Sequence, residues 1–227
     1  MADSQGGAVS ASQNASRPYF TQKVRLNSLH AQQVFDRGFD IGANAIFSLS
    51  IILRVIGTDE QAQGIEGIVD GRINKQLEDL RAETTRLETL AEANGIEFSG
   101  INYSNPKDVE ARITSPRAVR YIGLIREFDA LAAKFDTLWL SGVIPDGTYS
   151  RNIYEWKRRL IKLANGIRSI AGQAMVAARK KQQAGTSDAE AVHAADLDDA
   201  AKVLGETQAE DAEVEDGGDM APSPVVA

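Results

Sequence analysis

Apolar positions between residues 19 and 183 form one alternating stretch followed by several long helical ones. YFTQKVRL (19–26) places Phe20, Val24 and Leu26 on one face and Thr21, Lys23 and Arg25 on the other, the period of a half-exposed strand. Asn27 and Ser28 supply a cap for a helix that buries Leu29, Val34 and Phe35, and Gly38 is expected to end it just after Arg37. Residues 43–56 are apolar nearly all round (Ile46, Phe47, Leu49, Ile51, Ile52, Leu53, Val55, Ile56) and read as a core helix in preference to a strand followed by a helix.

A long amphipathic helix is expected over 59–94, where Ile65, Ile68, Val69, Ile73, Leu77, Leu80, Leu87 and Leu90 recur at threes and fours and Gly95 closes the pattern. IEFSGINYS (96–104) alternates again and reads as a strand or extended segment, broken by Asn105-Pro106. Ser115-Pro116 opens the next helix, whose apolar positions from Val119 to Leu138 run towards Gly142. PDGT (145–148) is a turn, and a last helix extends to about Gln183 with Ile153, Trp156, Leu160, Leu163, Ile167 and Ile170 along one stripe. The expected fold is mainly α, an N-terminal strand-helix-helix element followed by long amphipathic helices.

The flanks behave differently. Residues 1–17 are small and polar without periodicity and read as a disordered leader. Residues 184–227 contain no aromatic residue and form an acidic tail expected to be disordered, with at most a short helix near 189–204, leaving 18–183 as the folded domain.

Charge divides the chain the same way. The formal net charge is −7, but 184–227 holds one base, Lys202, against twelve acids, so that segment carries −11 and the remainder +4. With no cysteine, disulfides, thiolate metal sites and a cysteine nucleophile are excluded, and a reducing cytoplasm is the expected setting. The longest apolar run, 45–53, is interrupted by Ser48 and Ser50 and falls far short of the roughly 20 residues that span a bilayer; the first residues lack the basic and apolar regions of a secretory signal. No membrane partner is expected.

Catalytic signatures are missing. His30 and His193 are far apart, with no spacing that would set two imidazoles on one helical face for a metal, and His30 reads as a helix-surface residue. Gly64, Gly67 and Gly71 lack the Lys-Ser/Thr and preceding strand of a phosphate loop. Glu78, Asp79, Glu83 and Glu88 are most simply partners for Lys75, Arg81 and Arg86 on the same helix. No enzyme, cofactor or metal is expected.

The positive signal is basic. Between Arg151 and Lys181 nine bases face one acid, Glu155, an electrostatic footprint for a polyanion or else a solvated face. The strand-helix-helix order matches ribbon-helix-helix proteins, in which paired strands from two subunits enter the DNA major groove and alternate side chains read base edges. Thr21, Lys23 and Arg25 are the outward set and suit base contacts. Asn44, at the expected start of the second helix, and Lys157, Arg158 and Lys162 on the last helix are candidates for phosphate contacts.

Tyr103-Ser104-Asn105-Pro106, the segment from Tyr121 to Gly142 with its Glu127-Phe128-Asp129 triplet, and the basic helix from Arg151 resemble the AcaB-like family of conjugative plasmids and integrating conjugative elements, over roughly 19–172. The resemblance implies a cytoplasmic, dimeric, double-stranded-DNA-binding transcriptional regulator of conjugative-transfer genes, with a ribbon-helix-helix-type element near the N-terminus. The long acidic tail departs from the family pattern. The alternative is a non-catalytic helical accessory protein of the DNA-transfer machinery, assembled through the 59–94 helix.

Overall fold

The structure is a computed structural model that describes residues 18–56 and 59–184. The expected leader, and all of the acidic tail after residue 184, lie outside the described residues. The elements are β1 (Phe20–Leu26), α1 (Leu29–Ile56), α2 (Asp59–Ala93), β2 (Lys107–Ile113), α3 (Pro116–Leu140) and α4 (Asp146–Ala184). The chain is thus mainly helical with an N-terminal two-stranded antiparallel sheet.

Helix α3 is the centre. Tyr121, Ile122, Leu124, Ile125, Phe128, Leu131, Phe135 and Leu138 are all buried, so it is apolar round most of its circumference and needs neighbours on several sides. Cross-helix contacts set their directions. Ser28 meets Asp129 while Gly42 meets Tyr121, so α1 runs antiparallel to α3. Gln33 meets Lys157 and Gly38 lies near Ala164, so α4 runs alongside α1 in the same direction. Helix α2 runs parallel to α3, tied by Asp70 to Arg117 and Arg120, by Arg81 to Glu127 and by Glu88 to Lys134.

Several sequence signals are realised. Ser115 is the N-cap of α3, accepting from the Ala118 amide, with Pro116 in the first turn. Gly95 and Gly142 both take left-handed φ, 65° and 73°, and each closes a helix with a paired set of end bonds: Ile96 N–H to Ala91 C=O and Gly95 N–H to Glu92 C=O, then Val143 N–H to Leu138 C=O and Gly142 N–H to Trp139 C=O.

Three expectations are corrected. Gly38 does not end a helix: α1 is continuous from Leu29 to Ile56, and the strand-helix-helix element becomes a strand and one long helix. A Cβ on Gly42 would lie 2.9 Å from Cε1 of Tyr121 and one on Gly38 would lie 3.1 Å from its hydroxyl, so these glycines admit a wholly buried ring instead of breaking the helix. Residues 96–104 contain no strand. The second strand follows Pro106, where KDVEARI buries Val109, Ala111 and Ile113 and exposes Lys107, Asp108, Glu110 and Arg112. The PDGT turn is absorbed into the start of α4, where the Pro145 carbonyl accepts from the Thr148 and Tyr149 amides.

The sheet pairs Phe20 with Ile113 through Leu26 with Lys107. Its inner face, Val24, Leu26, Val109, Ala111 and Ile113, joins the helical core.

Candidate nucleic-acid interface

Thr21, Lys23 and Arg25 stand exposed on the outer face of the sheet, as the alternation requires. Strand β2 adds what the sequence alone did not place there. Glu110 is opposite Lys23 and its carboxylate lies 3.6 Å from the ammonium; Asp108 is opposite Arg25; and Arg112, opposite Thr21, holds its guanidinium 4.4 Å over the Tyr19 ring. The outer face therefore carries Lys23, Arg25 and Arg112 against Asp108 and Glu110. At Lys23 the ion pair is exposed on both sides, so it is worth little and is exchangeable for another anion.

Asn44 loses its expected role. It lies inside continuous α1, where its backbone N–H belongs to the helix ladder, so no helix start exists there to hold a phosphate. Lys157 is also displaced from the candidate set: it is half-buried between α1 and α4 and donates to Gln33 Oε1 at 2.6 Å.

Arg158 and Lys162 are exposed, and the structure aligns them with Arg151 and Lys180. At 3.6 residues per turn these four fall within an arc of about 40° and extend over about 44 Å of helix. None of the four has a carboxylate at ion-pair distance among the described residues. Arg159 flanks the stripe with its guanidinium 4.9 Å over the Trp156 ring. Asn165, Ser169 and Gln173 continue the stripe without charge. The arrangement offers a long cationic edge on which Glu155 is the one acid.

Charges elsewhere are used differently. Lys75 and Asp79 pair along α2 at 3.5 Å and Arg86 and Glu83 at 2.6 Å, as their spacing suggests. Arg81 instead reaches Glu127 on α3 through two bonds of 2.9 and 3.2 Å, and Glu88 reaches Lys134 at 3.0 Å. Arg117 pairs with both Glu66 and Asp70 at 3.0 Å, which holds the Asp70 carboxyl below its ordinary range and the guanidinium above its own.

Two buried carboxylates serve the fold. Asp129 accepts from the Asn27 and Ser28 amides at 2.9 and 2.8 Å, from the Ser28 hydroxyl at 2.7 Å and from the Asn27 side chain at 3.2 Å, locking the β1–α1 corner. Asp136 accepts from the Tyr103 and Tyr149 hydroxyls, both at 2.6 Å; burial and that carboxylate raise both phenol pKa values. Because the Tyr149 proton goes to Asp136, the Tyr149 oxygen is the acceptor for His30 Nε2 at 3.2 Å. That assignment leaves His30 Nδ1 as a buried lone pair without a partner. His30 is thus not a surface residue: burial first, then nearby Lys157, lower its pKa, against a smaller opposing pull from Asp136.

Among the described residues no group of three or more His, Asp or Glu is placed to hold a metal ion, and no helix is long and apolar enough to cross a membrane.

These features define a helical protein with a small N-terminal sheet and a cationic helix edge. Its fold is similar to the crystal structure of selenomethionine-containing AcaB from uropathogenic E. coli, with a TM-score of 0.72 and 35% sequence identity over 85% of this chain and 100% of that one. The chain belongs to the AcaB-like family. No family model matches it. No curated protein matches it either.

Proposed function

We propose that the chain is a double-stranded-DNA-binding transcriptional regulator of conjugative-transfer genes, acting in the cytoplasm as a homodimer. The observation that carries this reading is the cationic edge of α4, where Arg151, Arg158 and Lys162 face outwards on one line without carboxylate partners among the described residues. Phosphate contacts along such an edge position a duplex, and base contacts must come from elsewhere. The outer sheet face supplies Thr21, Lys23 and Arg25 for that task. Strand β1 has β2 on one side only among the described residues, which leaves its other edge for a second copy. Membership of the AcaB-like family supports the assignment to transfer-gene control.

The mixed charge of the sheet face favours a second reading. Glu110 and Asp108 oppose the proposed base-reading side chains and would repel phosphate, which suits an accessory protein whose sheet meets another protein. Fluorescence anisotropy of the full chain with transfer-gene promoter fragments and with random duplex separates the two. Replacing Arg151, Arg158 and Lys162 by Gln is expected to flatten the slope of log K against log salt by up to about 2.7 on every duplex, at about 0.9 per phosphate. Lys23→Ala with Arg25→Ala is expected to weaken only the promoter fragments, by about ten- to a hundredfold. An unchanged slope would remove α4 as the DNA surface and leave the accessory reading.

A further inference from the structure

We infer that the acidic segment Glu206–Asp219 of the same chain docks on the cationic edge of α4 and occupies the surface proposed for DNA phosphates. Charge and reach both point to this occupant. The segment carries seven acids and no base, and it is tethered to the last residue of the helix that presents Arg151, Arg158 and Lys162. Those bases lack carboxylate partners among the described residues, although acids elsewhere on the surface are widely paired, as at Glu83, Glu88, Glu127, Glu66 and Asp70. The pairing that completes the surface charge is therefore available within the chain.

The distances agree. Lys162 and Arg158 lie about 33 and 39 Å back along α4 from Ala184, at 1.5 Å per residue. Residue 212, the middle of the acidic segment, is 28 residues beyond Ala184, and a random-coil linker of that length would have a root-mean-square span of about 30 Å. Neither a short hop nor a fully stretched tail is required. At such separations the tethered segment is present at an effective concentration of order millimolar, so weak attraction is enough to populate the contact.

The docking stands on this charge and reach; its consequence, competition with DNA, rests on the function proposed above. The absence of native cysteine permits a clean measurement on the full chain. Ser169→Cys, on the neutral part of the exposed stripe, and Gln208→Cys carry a donor and acceptor pair. Energy transfer is expected to be high at about 0.01 M salt, where the Debye length is about 30 Å, and to fall at about 1 M, where it is about 3 Å. Arg151→Gln with Arg158→Gln and Lys162→Gln should bring the low-salt transfer down to the high-salt value. Transfer that ignores salt, or ignores these substitutions, overturns the docking. So does transfer found only between molecules when singly labelled chains are mixed.

Added duplex DNA should release the tail and lower the transfer. Replacing the acids of 206–219 by their amides should raise DNA affinity at low salt by about two- to tenfold, the range set by a millimolar local concentration acting on a weak site. Salt-sensitive transfer in a chain that binds no DNA would keep the docking and refute the DNA reading. DNA binding with salt-insensitive transfer would do the reverse.

Discussion

Gly42→Ala tests whether α1 has glycine for its lack of a side chain or merely tolerates it. Away from tertiary contacts, Ala in place of a mid-helix Gly stabilises by about 0.8–1.0 kcal/mol. At Gly42 the new Cβ would meet Tyr121 at 2.9 Å from Cε1, 3.2 Å from Cδ1 and 3.3 Å from Cζ, three atoms of a rigid ring. Tyr121 is fully buried and stacked near Phe39 with 6.3 Å between centroids, so it has no vacant direction in which to rotate. The two helices must separate instead, and overpacking of this kind costs about 1–3 kcal/mol. Subtracting the propensity gain leaves a net destabilisation of about 0–2 kcal/mol. The sharper statement is the contrast with Gly71 and Gly172, which would meet no atom within 4 Å and keep the whole propensity gain. Urea unfolding of the three alanine variants, compared at constant m, is the assay. Gly71→Ala and Gly172→Ala should raise the midpoint and Gly42→Ala should not. An increase at Gly42 equal to the other two would refute the close-packing account of α1.

Two further perturbations address the buried polar groups. Asp129→Asn turns one acceptor oxygen towards donors as a second donor, leaving a buried N–H without a partner at the β1–α1 corner, and is expected to destabilise by about 1–3 kcal/mol in the same urea assay. For His30 the folded pKa lies below its ordinary 6.5, so the unfolded chain takes up the proton first as pH falls. Stability should therefore be level in this respect above pH 6.5 and decline below it, ahead of the carboxylate range; His30→Gln should remove that decline in a pH series of urea midpoints. Asp70, whose folded pKa is lowered from 3.8, contributes stability above that value which is lost only at more acidic pH, so the two slopes are separable.

How much was legible in the sequence follows from where each signal resides. Ser115, Pro116, Gly95 and Gly142 act on their own backbone, and the sequence placed all four correctly at helix ends. Gly38 and Gly42 look the same in sequence as glycines that break a helix; what distinguishes them is Tyr121, roughly 80 residues away. Strand β2 is hard to see in the sequence because Lys107, Asp108, Glu110 and Arg112 outnumber its three apolar residues, and its alternation gains meaning only beside β1. Lys157 could have been sorted from the sequence. Its angular position lies about 80° from the middle of the Ile153–Ile167 stripe, at the flank of the core, whereas Arg151, Arg158 and Lys162 lie nearly opposite it.

Apart from the basic helix, the residues that mark the family hold the fold together. Glu127 ties α3 to Arg81, Phe128 is core, Asp129 locks the corner before α1, and Tyr103 bonds Asp136. Asn105 accepts from the Gln32 side chain through its carbonyl at 3.0 Å, fixing the approach to β2. A relative can keep every one of these and still present a different set of side chains on the sheet face and on α4, because none of them reaches either surface. Likeness in these positions therefore argues for shared architecture, and the case for DNA has to stand on Arg151, Arg158 and Lys162. The same separation explains why charge can be altered on α4 without endangering the core: the bases lie opposite the buried stripe of Trp156, Leu160 and Ile167. Neutralising them should change the salt dependence of binding and leave the urea midpoint where it was, which keeps loss of function distinct from loss of fold.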